Sequence, residues 1–176
     1  MRYGNVLASR GSVIPLFHEQ IRTGGPVTIT TTDMTRFLLS LDEAVDTVFA
    51  AMRGGQRGET YIPRVPSARV VDVARALIGD REIDTVVTGI RPGEKVHEIL
   101  ISEEEGHRSV ERGRFYAIRP VLPELHGEPE PHAQLPGEYS SGDAVMSYDD
   151  VVALLTRQNL MVRDQIVESE GVELLR

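Results

Sequence analysis

Cysteine is absent from this 176-residue chain, which excludes disulfides and thiolate chemistry and leaves any zinc site to histidine and carboxylates. Lysine is nearly absent: of 19 basic residues, all but Lys95 are arginine. No apolar run approaches the about 18 residues that a membrane span needs, and the N-terminus lacks the basic-then-apolar order of a signal peptide. The expected location is therefore the cytoplasm. A formal net charge of -8 argues against a nucleic-acid or anionic-membrane surface, because such surfaces are bound by clustered positive charge. Also missing are G-x-G-x-x-G, the dinucleotide fingerprint, and Tyr-x-x-x-Lys, since Arg91 stands four residues before Lys95.

What is present is ordinary for a globular chain: 40% hydrophobic and 26% charged residues, in a length that suits one domain or a large piece of one. Arg2 to Leu7 reads as a short strand. Ser12 to Thr23 reads as a helix with Ser12 as N-cap, Pro15 in the tolerant first turn and Gly24-Gly25 as the stop. Val27 to Thr30 and Arg36 to Ser40 look extended. A helix starts at Ser40, with Glu43 completing a capping box, and its apolar positions Leu41, Ala44, Val45, Val48, Phe49 and Met52 predict a core-facing stripe.

Thr60 to Ile62 reads as a strand, Ser67 as the cap of a helix ending at Gly79, and Ile83 to Thr88 as a strand. This alternation predicts an α/β fold with a parallel sheet covered by helices. Val96 to Ile101 is compatible with a helix, and Arg114 to Ile118 with a strand. Pro120 to Gly137 carries five prolines and reads as a loop or flap. A last helix begins at Ser147, with Asp149 and Asp150 favouring its macrodipole. The expected organisation is residues 1–120, a Pro/Gly-rich loop at 121–146 and a helical segment at 147–176.

Two stretches have the chemistry of an anion site. Ser9-Arg10-Gly11-Ser12 stands where an extended segment enters a helix, and a helix N-terminus presents unpaired N–H groups and partial positive charge. A serine-capped helix beside a surface arginine accounts for the same residues. Gly89-Ile90-Arg91-Pro92-Gly93-Glu94-Lys95 predicts a type II turn displaying Arg91, Glu94 and Lys95. An arginine and a carboxylate three residues apart suit a phosphate and a sugar diol, or simply face solvent. Arg36, between a polar stretch and Phe37-Leu38-Leu39, would be expensive to bury unless an anion met it; Arg64 and Arg69 are weaker candidates. His18, His97, His107, His126 and His132 lack metal-ligand spacing, so no metal is expected. Glu103-Glu104-Glu105 reads as a solvated acidic turn.

Taken in order, RYGNVLASRGSVIPLF, VTITTTDMTRFLLSLDEAV, ETYIPRVPSARVVDVARAL and GIRPGEKVHEILISEEE resemble the C-terminal half of the bacterial UDP-N-acetylglucosamine 4,6-dehydratases of the inverting type, within the extended short-chain dehydrogenase/reductase superfamily. The resemblance runs from Arg2 to about Pro120, with a fainter echo at EYSSGDAVMSYDDVVALL. It implies an α/β fold containing the last parallel strands and helices of a Rossmann sheet plus a small substrate-binding region. It implies further that Asn5 meets the diphosphate or sugar, that Arg10, Gly11, Ser12 and Val13 bind the nucleotide, that Arg36 and Arg91 pair with phosphate and that Glu94 accepts from the ribose hydroxyls. Tyr3 and Gly4 would lie near the nicotinamide.

Such enzymes hold NAD or NADP on an N-terminal Rossmann domain. Their glycine-rich loop and catalytic tyrosine, lysine and acid-base residues have no counterpart in this sequence, so no catalytic residue is assigned here and cofactor binding by this chain is not expected. The expectation is a truncated, substrate-binding portion whose partners are a UDP-sugar and the missing N-terminal half or an intact paralogue. Unpartnered strand edges and apolar helix faces would make it marginally stable or self-associating. A non-catalytic module that binds UDP-sugars or docks onto a paralogue is the alternative, and a relic without a ligand is the third.

Overall fold

The computed structural model describes residues 1–125 and 135–162. Its elements are α1 (Val13–Arg22), β1 (Val27–Ile29), β2 (Thr35–Phe37), α2 (Leu41–Gly54), β3 (Thr60–Pro63), β4 (Ser67–Arg69), α3 (Val70–Ile78), β5 (Thr85–Val87), β6 (Ile99–Ile101), α4 (Glu103–Gly106), β7 (Ser109–Arg112), β8 (Phe115–Ile118), β9 (Tyr139–Ser140) and α5 (Tyr148–Arg157). The class is α/β. Among the described residues, β1 and β5 are the strands that pair in parallel; β2–β4, β6–β9 and the meander β3–β8–β7 are antiparallel.

The main core forms where α1, α3 and α5 turn their apolar faces onto one another and onto β1. Phe17, Val27, Leu77, Val151 and Leu155 are each at most 1% exposed, and burying side chains of this size stabilises a fold by about 1.5–3 kcal/mol each. His18 Nε2 lies 2.7 Å from the Leu160 carbonyl and ties α1 to the chain following α5. A second cluster gathers Phe37, Ile62, Leu100, Ile101 and Tyr116 between β2, β3, β6 and β8. No helix among the described residues is long and apolar enough to cross a membrane.

The capping box at Ser40 and Glu43 is present, with both reciprocal bonds made. The stripe it leads into is not core. Leu41, Val45, Val48, Phe49 and Met52 are 67, 43, 36, 48 and 76% exposed, and within α2 only Ala44 and Thr47 are buried. Helical spacing identifies an amphipathic face without specifying what covers it.

Three further expectations are corrected by pairing across the chain. Arg2 to Leu7 forms no strand: Leu7 donates to Leu39 O at 2.7 Å and Val6 makes an isolated parallel bridge with Leu39, then the chain turns through Ala8 at φ 55°. Ser67 caps no helix, because β4 pairs with β2 and the Ser67 hydroxyl donates to Ala144 O at 2.9 Å; α3 begins only at Val70. Val96 to Ile101 is not helical, since Ile99–Ile101 is recruited as β6 by Tyr139–Ser140. Glu103 to Glu105 form the first turn of α4, with Glu103 and Glu104 exposed as a solvated acidic turn would have them and with Ser102 and Glu105 in a second capping box. His126 and His132, with residues 126–134 of the proline-rich loop, lie outside the described residues.

One buried ion pair braces the meander. Arg112 makes two 2.7 Å bonds to the Glu59 carboxylate and a 2.9 Å bond to Tyr61 Oη. The two charged side chains are only 13% and 2% exposed. Burial opposes the Arg112 charge, but the bonds to Glu59 and Tyr61 outweigh it and raise the guanidinium pKa above its ordinary value.

Candidate functional site

The chain reaches the site through a tight turn. Ser9 donates to Val6 O at 3.3 Å, Ser12 donates to Ser9 O at 3.0 Å, and Gly11 between them sits at φ 78° with open space where a Cβ would be. Only glycine adopts this conformation without strain. Ser12 is the N-cap of α1 by its extended backbone, yet its hydroxyl makes no capping bond and its Oγ is buried without a hydrogen-bond partner. A helix start of this kind leaves N–H donors and partial positive charge directed away from the helix.

The second stretch arrives from the parallel pair. Thr88 donates to Ile29 O at 2.8 Å and Gly89 to Thr30 O at 3.0 Å, so β5 hands the chain over beside the end of β1. Glu94 then donates to Arg91 O at 3.0 Å across Pro92 and Gly93, with Gly93 at φ 87°, in the manner of a type II turn. The Glu94 carboxylate accepts from the Arg91 N–H at 2.9 Å and fixes the turn's shape.

These stretches meet in one cavity of about 330 Å³. Asn5, Gly11, Ser12, Val13, Arg36, Arg91 and Glu94 all line it, although they come from separate parts of the sequence. Arg10 is exposed and is not among the lining residues. Tyr3 and Gly4 also lie outside it: Tyr3 is 39% exposed, and a Cβ at Gly4 would stand 3.0 Å from Phe37 Cβ. A side chain at Gly4 would therefore crowd Phe37. Neither residue is among those lining the cavity, so no cradle for a nicotinamide is seen at Tyr3 and Gly4 there.

Arg36 has a more particular placement than its position among polar and apolar residues suggested. Its Nη1 donates to Thr35 O at 2.6 Å and Val96 O at 3.1 Å, its Nη2 donates to Lys95 O at 2.9 Å, and its Nε lies 3.5 Å from Glu98 Oε1. Most of its fork is directed at the chain just after Glu94. Arg64 and Arg69 are occupied elsewhere, with Glu111 at 3.2 Å and Asp72 at 2.8 Å respectively.

The wall of the cavity includes residues that motif reading did not select, among them Thr28, Thr30 and Thr88. Thr28 accepts from Gln20 Nε2 at 2.7 Å, which links α1 to β1. The available signal was the two-residue alternation of Val27-Thr28-Ile29-Thr30, which places both threonines on the face opposite the buried Val27 and Ile29.

The cavity can receive an anion at the α1 N-terminus, with the Arg91 turn opposite supplying a cation and an acceptor. Comparison with known proteins agrees in kind. The UDP-N-acetylglucosamine 4,6-dehydratase (inverting) of Campylobacter jejuni is 43% identical over 122 residues, covering 69% of this chain and 36% of that enzyme. The UDP-glucose 4-epimerase of Rickettsia massiliae is 44% identical over 119 residues, covering 66% and 35%. The X-ray structure of Pen from Bacillus thuringiensis superposes with a TM-score of 0.80 at 31% identity, covering 90% of this chain and 49% of that one. The chain thus spans just over a third of the length of these curated relatives. With the family profile described as "Polysaccharide biosynthesis protein" matching residues 1–120, the chain belongs to the polysaccharide biosynthesis protein family.

Proposed function

We infer that this chain is the substrate-binding portion of a nucleotide-sugar 4,6-dehydratase in the cytoplasmic synthesis of surface polysaccharide, and that its ligand is a UDP-N-acetylhexosamine. The carrying observation is that seven residues selected from three separate sequence stretches line a single cavity, among them the helix cap Ser12, whose hydroxyl is unpartnered. In this reading the α1 N-terminus and Arg91 hold the diphosphate, Glu94 accepts from the ribose hydroxyls and Asn5 faces the sugar side. Arg10, on the exposed turn before Gly11, contributes long-range attraction.

Oxidation at the sugar's C4 and elimination of water need a nicotinamide and an acid-base set, and the sequence contains neither the glycine-rich loop nor the Tyr-x-x-x-Lys pair for them. These would come from a nucleotide-binding N-terminal half or from an intact paralogue. The exposed α2 stripe is the surface such a partner would cover, and the isolated chain would self-associate through it. A UDP-glucose-binding epimerase portion is the second reading, favoured by the equal identity to the Rickettsia enzyme.

Calorimetric titration separates the two. Tighter binding of UDP-N-acetylglucosamine than of UDP-glucose is expected. Preference for UDP-glucose would favour the epimerase reading, and the absence of heat with either would remove both.

A further inference from the structure

The four residues that follow Glu94 belong to no helix or strand, yet each is held. Arg36 donates to the carbonyls of Lys95 and Val96, and the Thr35 N–H also donates to Val96 O at 3.0 Å. The Thr35 hydroxyl lies 2.8 Å from His97 Nδ1 and 2.7 Å from Ser141 Oγ. Ser141 completes the set: its Oγ accepts from the Glu98 N–H at 2.9 Å and its own N–H donates to Glu98 O at 2.8 Å. Thr35 and Ser141 are 2% and 0% exposed.

Successive strand residues point to opposite faces, so β2 grips this segment from two sides. Arg36 faces the 330 Å³ cavity. Thr35 faces a more open cavity of about 620 Å³, lined also by Asp33, Arg69, His97 and Gly142. The grip depends on residues far apart in sequence, because Ser141 lies 106 positions from Thr35 and beyond residue 120, where the family match ends. Segment 139–146 is itself laced in place by β9 against β6 and by Met146 donating to Ser67 O at 2.8 Å.

We propose that Thr35 and Ser141 are positioning residues that, together with Arg36, preset the Arg91–Glu94 turn for its ligand, so that the segment after residue 120 completes the site. The hydroxyls suit the role because each offers one donor and two acceptor positions. Ser141 Oγ accepts the Glu98 N–H and keeps its proton for the Thr35 hydroxyl or carbonyl, while the Thr35 hydroxyl is also shared with His97 Nδ1. Removing the Ser141 hydroxyl takes the acceptor from the half-buried Glu98 N–H and a partner from the buried Thr35 hydroxyl, and removing the Thr35 hydroxyl releases the His97 ring and leaves the buried Ser141 hydroxyl short of a partner, which loosens the segment. The consequence for binding rests on the reading of the cavity given above; the grip on the turn does not.

The test uses the full chain and three substitutions, Thr35→Val, Ser141→Ala and the conservative Thr35→Ser. Amide exchange of Arg91, Glu94 and Glu98 is followed by NMR without ligand, with the amides of α5 as internal reference, and UDP affinity is measured on the same samples. Expected are exchange about tenfold faster at these three amides in Thr35→Val and Ser141→Ala, unchanged exchange in α5, UDP affinity about tenfold weaker and recovery of both in Thr35→Ser. Unaltered exchange at Arg91 and Glu94 would overturn the proposal, as would faster exchange with unchanged UDP affinity. Uniformly faster exchange that includes α5 would reduce the two hydroxyls to general stability and also overturn it. If the wild type binds no UDP while the exchange pattern appears, the grip stands and the reading of the cavity falls.

Discussion

The Nη1 of Arg36 donates to the backbone carbonyl of Val96 at 3.1 Å, so the arginine of one motif fastens the chain leaving the other. This bond joins two stretches that, read separately, are a charged strand residue and an exposed turn. Arg91 and Glu94 are the charged groups that the turn displays at the cavity, and their substitution should act on binding with little effect on folding. Arg91→Ala is expected to weaken UDP affinity about tenfold or more, the loss of a charge-assisted pair with phosphate. Arg91→Lys should recover part of it, since lysine keeps the charge and loses the fork. Calorimetric titration of both variants checks this, and equal affinity in Arg91→Ala would contradict it.

Gly11→Ala should weaken binding without a steric clash. The position has φ 78° and nothing within 4 Å of an added Cβ, so the cost is conformational, about 1–2 kcal/mol. A lowered melting temperature together with reduced stabilisation by UDP is the expected result of a thermal scan.

Glu59→Ala should be among the most damaging single changes. It leaves Arg112 buried beside Tyr61 without its bidentate partner, which typically costs about 3–5 kcal/mol. Urea unfolding measures this directly. Substituting the more exposed Arg64–Glu111 pair should change stability by less than about 1 kcal/mol.

Stability should fall in acid partly through one pair. Arg2 bonds the Glu105 carboxylate at 2.6 and 2.9 Å, and this bond holds the Glu105 pKa at about 2, below the ordinary 4.5. A carboxylate depressed in the folded state contributes stability fully above its unfolded pKa and loses it as pH falls through the folded one. The window is therefore pH 4.5 down to about 2. Because the Arg2 side chain is 42% exposed, the contribution is about 1 kcal/mol after screening. Glu105→Gln should flatten the stability profile in that window and be less stable than the wild type at neutral pH.

The exposed α2 stripe should govern association. Phe49 and Met52 are 48% and 76% exposed, so Phe49→Glu with Met52→Glu should leave folding nearly unchanged. Sedimentation velocity should show concentration-dependent association in the wild type and a monomer in the double variant.

α2 also illustrates what was legible in the sequence. Ser40, Glu43 and the Gly54-Gly55 pair marked its ends because capping and termination are local chemistry. Its burial was misread because covering a helix face is a tertiary event. Ser67 was misread for a related reason: its hydroxyl meets Ala144, 77 residues away, and that distant partner overrides a local cap. Of the residues lining the candidate site, Gly11, Arg91 and Glu94 stood out in the sequence because turns and helix starts need particular residues at particular offsets. Thr88 and Ser141 were not, since one depends on β5 lying beside β1 and the other on β9 returning to β6.

In the proposed function, two turns some eighty residues apart in sequence form one nucleotide-sugar site. Titration of UDP-N-acetylglucosamine into the isotopically labelled chain, followed through the backbone amides of Gly11, Ser12, Gly93 and Glu94, tests it most directly. The account predicts that all four shift along a common saturation curve with a Kd on the order of 100 μM. Shifts confined to one turn, two unrelated curves, or no saturable shift in a folded chain would contradict it.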